Sequence, residues 1–202
     1  MHTDATVFHP VGFVEVYGIP RGTETNLDRW RASGERLYSG PNQTVFSGID
    51  LVVQILSGVL DGPGLNGMYL EFENTADPST VVIPSIDNTK GVEYYRQLAS
   101  PRDYLRVPLQ LYGNLAASDS RYKANKAHYL GNSGGASGVN GLAFSALAGS
   151  AVYGAALVKL GRTPADDIVY ARSYMTVAKG VPAEQQIGVS WISVLHHKDD
   201  AP

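Results

Sequence analysis

The sequence contains no cysteine. Disulfides, thiolate metal sites and cysteine nucleophiles are therefore excluded together. Charge is also scarce, at 17% of residues against roughly 25% in an average soluble domain. Basic residues do not predominate: 16 Lys and Arg against 19 Asp and Glu leave a net charge of −3. That balance argues against a nucleic-acid-binding module, which needs a basic patch. It argues equally against a polybasic membrane anchor. No apolar run approaches the roughly 18 residues needed to span a bilayer. The opening Met1-His2-Thr3-Asp4 has no basic or apolar segment, so no signal peptide is expected. There is no Walker A string, no internal repeat and no βαβ rhythm.

What is present points to β structure. The 202 residues are 44% hydrophobic, enough for one packed core. The 22 glycines and 11 prolines are spread along the chain, the pattern of many short elements joined by turns. Low charge has two readings. The surface is polar but weakly charged, or much of it is covered by other subunits, because interface cores are depleted in charge.

Met68, Leu70 and Phe72 alternate with Tyr69, Glu71 and Glu73, and Leu105, Val107, Leu109 and Leu111 alternate with polar neighbours. Both runs predict strands with one buried face. Further strands are expected at 12–17, 126–130, 152–158, 168–177 and 187–195, with a short one at 81–84. Ser47-Gly48-Ile49-Asp50 has capping-box spacing, and Ile49, Val52, Val53, Leu56 and Leu60 recur at helical intervals. Gly58 is placed to end that helix. The fold expected is mainly all-β: an antiparallel sandwich, jelly-roll-like, with one helix near 48–58. Residues 1–11 read as an arm, 12–195 as one domain and 196–202 as a tail. The stretch 21–46 reads as irregular and available to a partner.

Gly131-Asn132-Ser133-Gly134-Gly135 is the most enzyme-like string. It resembles the nucleophile loop of trypsin-like serine proteases, which implies His9, Asp50 and Ser133 as a triad. His9 stands too near the start for the strands that normally precede that histidine, and Asp50 is better read as a helix cap. A flexible Gly/Ser loop is the preferred reading. Glu71 and Glu73, on one strand face about 7 Å apart by strand geometry, have the spacing of a glycosidase pair, but two solvated glutamates account for them more simply. The glycines of 134–141 lack the strand–helix context of a dinucleotide site. His2, His9, His128, His196 and His197 do not make a metal set. No cofactor and no metal are expected. Twelve tyrosines suit either an interface or a sugar-binding groove.

The order of parts carries a resemblance. Asn42-Gln43-Thr44-Val45-Phe46-Ser47-Gly48-Ile49-Asp50 leads into the apolar helix ending at Gly58. A strand with Asn66-Gly67-Met68-Tyr69-Leu70-Glu71-Phe72-Glu73-Asn74 follows. Then come Gly91-Val92-Glu93-Tyr94-Tyr95, Arg102-Asp103-Tyr104-Leu105-Arg106-Val107-Pro108 and the closing Ile187-Gly188-Val189-Ser190-Trp191-Ile192. This series resembles structural proteins of tailed bacteriophages over roughly residues 12–195. The resemblance implies a non-enzymatic β-sandwich subunit of the virion, on the capsid, neck, tail or fibre base. Its partners would be copies of itself and other virion proteins, with a host glycan as a further possibility. Trp30, Tyr38, Tyr94, Tyr95 and Arg106 are the interface anchors expected on this reading. The alternatives are a serine hydrolase built on His9, Asp50 and Ser133, and a carbohydrate-binding β-sandwich using exposed tyrosines.

Overall fold

The computed structural model describes residues 9–59, 64–85, 104–111, 126–135 and 147–196. Its eight strands are β1 (His9–Pro20), β2 (Glu35–Thr44), β3 (Gly67–Glu73), β4 (Tyr104–Leu111), β5 (Lys126–Asn132), β6 (Ala151–Lys159), β7 (Ile168–Gly180) and β8 (Gln185–His196). Two helices, α1 (Leu27–Ser33) and α2 (Phe46–Leu56), flank β2. All pairings are antiparallel, and the ladder closes in the order β1-β2-β7-β6-β3-β4-β5-β8.

Two corner strands make the closure. β2 pairs with β1 from Glu35 to Asn42 and meets β7 only at Gln43 and Thr44. β4 pairs with β3 from Tyr104 to Pro108 and with β5 from Leu109 onward. Strands that change partners in this way turn a two-layered sheet into a continuous one. The mainly β class expected from alternation is the fold observed.

Inward-facing residues follow the period of two. Val14 and Val16, Met68, Leu70 and Phe72, Leu105 and Val107, and Ile187, Val189 and Trp191 fill the interior. The stretch 21–46 is corrected: it holds α1 and a full strand. Asn26 caps α1 by accepting from the Arg29 amide, and Trp30 is buried on the outside of the sheet against Tyr17, with Gly188 beneath its indole. A Cβ at position 188 would lie 2.9 Å from that ring. The short strand expected at 81–84 is also absent: Pro78–Thr80 forms a 3₁₀ turn and 81–85 carries no ladder.

α2 is capped two residues before the expected position, Ser47. Val45 is the N-cap and makes no side-chain bond. Ser47 instead donates to the Val169 carbonyl at 2.6 Å, and Asp50 accepts from Gln54. The C-terminus is as expected. Gly58 has a φ of +70°, its N–H reaches Ile55, and the Val59 N–H reaches Gln54, which is a Schellman closure.

Candidate functional site

The proposed triad is not assembled. β1 starts opposite His196, so position 9 lies at one end of β8. Ser133 follows β5 at the other end, where its Oγ accepts from the Ile187 amide at 2.8 Å. The stretch of β8 between Ile187 and His196 spans roughly 30 Å at the usual strand rise. Asp50 is held on α2 by Gln54. Ser133 is wholly buried, so its hydroxyl meets no substrate. The surrounding string is structural. Gln186 donates to the Thr23 carbonyl and to Asn132, and its own carbonyl accepts from the Gly22 amide. Asn132 also donates to Thr23. Together they pin the turn after β1 to the end of the barrel.

The interface candidates divide. Trp30 and Arg106 are 0% and 3% exposed, and both are buried by this chain itself. The expectation that they anchor a neighbour is corrected: Trp30 donates its indole N–H to the Glu24 carbonyl, and Arg106 is held in an ion pair. Tyr38 is half-buried beside a cleft. Tyr94 and Tyr95 lie outside the described residues.

The unusual chemistry lies on the outer face of β4, β3, β6 and β7. Register places Arg106, Tyr69, Ala156 and Arg172 in one row across these four strands. The next row is Tyr104, Glu71, Gly154 and Tyr174. β6 thus contributes only Ala156 and Gly154, which leaves a trough between β3 and β7. Long side chains cross it. Arg172 Nη1 reaches to 2.9 Å from Glu71 Oε1, although β3 and β7 are not neighbours.

Each row end carries a buried ion pair. Arg106 grips Asp167 with two bonds, Nε to Oδ2 at 2.8 Å and Nη2 to Oδ1 at 2.7 Å. Tyr69 donates to Asp167 Oδ2, and the Gly161 amide donates to Oδ1 at 2.7 Å. Both carboxylate oxygens are thus bonded twice, the arrangement in which buried charge is tolerated. Burial first, and this bond to Asp167 next, push the Tyr69 phenol far above its usual range.

The second pair is less complete. Among the described residues, neither Glu71 oxygen accepts a hydrogen bond of ordinary geometry, although both are shielded from solvent. Tyr174 Oη accepts from Arg172 Nη1 at 2.6 Å, and its own O–H faces Glu71 and favours the carboxylate as a donor. Burial raises the Glu71 carboxyl above its usual range, and the Arg172 charge opposes that. Burial, reinforced by the Glu71 charge, pushes the Tyr174 phenol up to about 12. The expectation that Glu71 is solvated beside Glu73 is corrected. Glu73 is exposed and Glu71 is not, because Glu71 faces the trough and Arg172 covers it.

Sequence reasoning missed Asp167, Arg172 and Tyr174. Arg172 and Tyr174 share the phase of a strand face that reads as outward, and the signal was there in a long arginine two residues from a tyrosine. Nothing in the sequence shows that two small residues on β6 open a path to Glu71. Among the described residues, no group of His, Asp and Glu could hold a metal ion. No protein-family model, curated protein or solved structure matches the chain.

Proposed function

We propose that the chain is a non-enzymatic structural subunit of a tailed-phage particle, assembling through the outer face of α2. One observation carries the assembly part. α2 packs inward through Ser47, Gly48 and Leu51, with Val52 partly buried. Ser47 and Gly48 are buried, and a Cβ at Gly48 would lie 2.1 Å from the Tyr170 carbonyl oxygen. Four other large apolar residues point the other way: Phe46, Ile49, Val53 and Leu56 are 37%, 47%, 57% and 82% exposed. A surface helix normally turns its apolar stripe inward. Here a second apolar stripe faces out, at intervals of three and four residues like the seam of paired helices. Asp50 is the sole charged residue of the helix. An uncharged apolar stripe of this kind suits burial against an equivalent stripe, which makes copies of the same chain the first partner.

The low charge of the whole sequence supports the same reading. The tailed-phage part, and with it the virion location, rests on the sequence resemblance. The test is the mass of the full chain by light scattering across a concentration series, with Val53→Glu/Leu56→Glu alongside. The expected result is an oligomer that falls to monomer in the variant. Its thermal midpoint should stay close to the parent's, since both residues lie on the surface. A parent chain that remains monomeric at high concentration would overturn self-assembly through α2.

A further inference from the structure

The two flanks of α2 differ, and so do its two ends. At about 100° per residue, Asp50 and Gln54 fall on one side of the outward stripe of Phe46, Ile49, Val53 and Leu56. They are bonded to each other there, Gln54 donating to the Asp50 carboxylate. The other side is apolar: Val52, half-buried, and Ile55 beyond it. Ile55 shares the inward phase of Gly48 and Leu51, which are buried, yet it is 47% exposed. The last turn of α2 therefore overhangs the barrel. Exposure climbs in the same direction, from 37% at Phe46 to 82% at Leu56, with Val59 just past the Gly58 closure at 75%. No charged residue occurs from 51 to 59, so this end has nothing to offer a charged partner.

How two such helices meet depends on their direction. In a parallel arrangement about a rotation axis, each helix turns one flank to the opposite flank of its neighbour. The Asp50–Gln54 side would then face the Val52–Ile55 side. A carboxylate and a carboxamide would be desolvated against aliphatic groups, which costs free energy. In an antiparallel pair about a two-fold axis, like flanks meet. The apolar sides close on each other, and the polar sides lie together at the wet edge. The helix dipoles also oppose one another instead of aligning. The gradient of exposure places the axis. The free ends overlap, so the two-fold passes near Leu56, and each overhanging turn extends over the partner.

We propose that two copies of the chain pair through antiparallel α2 helices across a two-fold axis at Leu56. This rests on self-assembly through α2 and specifies the geometry of that contact.

The chain has no cysteine, so a single engineered thiol reports its neighbour directly. Leu56→Cys puts two thiols together at the axis. Phe46→Cys puts them ten residues away on either side, about 30 Å apart at the helical rise. A disulfide tolerates roughly 7 Å between Cα atoms. Each full-length variant is oxidised with diamide and run on a denaturing gel, with thermal midpoints showing both folded. The expected result is that Leu56→Cys doubles in mass and Phe46→Cys does not, while light scattering gives a dimer for the parent. Equal cross-linking of the two variants would mean parallel helices and would overturn the proposal. So would a dimer in which neither variant cross-links, or a trimeric parent, and each of these leaves self-assembly standing. A monomeric parent would instead remove self-assembly itself, and the proposal with it.

Discussion

Arg106 and Arg172 stand at opposite ends of one cross-strand row, and each is buried against a carboxylate. The surroundings differ. Asp167 receives a forked guanidinium, a phenol and a backbone amide. Among the described residues, Glu71 is met by Arg172 Nη1 at 2.9 Å and by the Tyr174 hydroxyl, and no backbone amide reaches it. The first pair lies where the chain turns from Gly161 into β7, so a loop amide can fold onto it. The second lies in mid-sheet, where the neighbouring amides already serve the ladder. Burying charge is costly in both places, and the first site recovers more of it, through four hydrogen bonds to one carboxylate. The first is therefore a structural clasp. The second is a buried bridge over the small residues of β6.

The largest expected effect follows from that contrast. Asp167→Ala leaves Arg106 buried and unpaired, and should cost about 3–5 kcal/mol of stability. Urea denaturation measures it, and a loss below about 1 kcal/mol, the scale of an exposed pair, would mean the clasp is not what holds the 161–167 turn. Replacing both partners sharpens the comparison. Glu71→Leu with Arg172→Met should be near neutral, since apolar packing replaces a buried ion pair that no backbone amide supports among the described residues. Asp167→Leu with Arg106→Met should remain clearly destabilising, because the Tyr69 hydroxyl and Gly161 amide lose their acceptor at about 1–3 kcal/mol each. Equal losses in the two doubles would erase the distinction.

The same contrast shows what can be read from residues alone. The inward faces of β3, β4 and β8 were legible, since a period of two with one apolar phase is the mark of a strand buried on one side. Gly58 was legible because a helix end needs a positive φ there. β2 was not. Its residues fell in the stretch read as irregular, and Pro41, which lacks an N–H, pairs with Phe13 at a corner where the other edge of the strand has no strand partner among the described residues. The outward phase was misread more deeply. Glu71 and Arg106 alternate with core residues, so the first reads as solvated and the second as an anchor for a neighbour. Their burial depends on side chains from β7 and the 161–167 turn, which are distant in sequence. Of the cleft between β2 and β7, only Tyr38 was singled out. Asn42 and Gln43 stood in the stretch read as irregular.

A smaller effect tests how the outer face is built. Gly154→Ala puts a methyl 2.5 Å from the Tyr174 ring. The ring must move or the strands must separate, at about 1–3 kcal/mol. Gly64→Ala is the control, since nothing lies within 4 Å of a Cβ there. If both substitutions have the same effect on the thermal midpoint, Gly154 is not what seats Tyr174.

The smallest effect is a slope. Burial is the largest influence on Glu71 and raises its carboxyl above the ordinary value of 4.5, against the pull of Arg172. A group with a raised folded-state value holds its proton more tightly in the folded chain than in the unfolded one. The folded state then carries more protons, and stability falls as pH rises. The contribution is complete below pH 4.5 and is lost as pH climbs through the raised value. One such group gives at most about 1.4 kcal/mol per pH unit. Other carboxylates titrate in the same region, and Asp77 and Asp166 are shifted downward by bonds to Ser79 and Thr163. Their effect has the opposite sign, since it is lost as pH falls. The informative quantity is therefore the difference in unfolding free energy between the parent and Glu71→Gln, measured from about pH 4 to 8. Relative to the variant, the parent should lose stability as pH rises. A difference that grows in the parent's favour would mean Arg172 outweighs burial at Glu71. The two ion pairs would then be alike in strength despite their unequal hydrogen bonding.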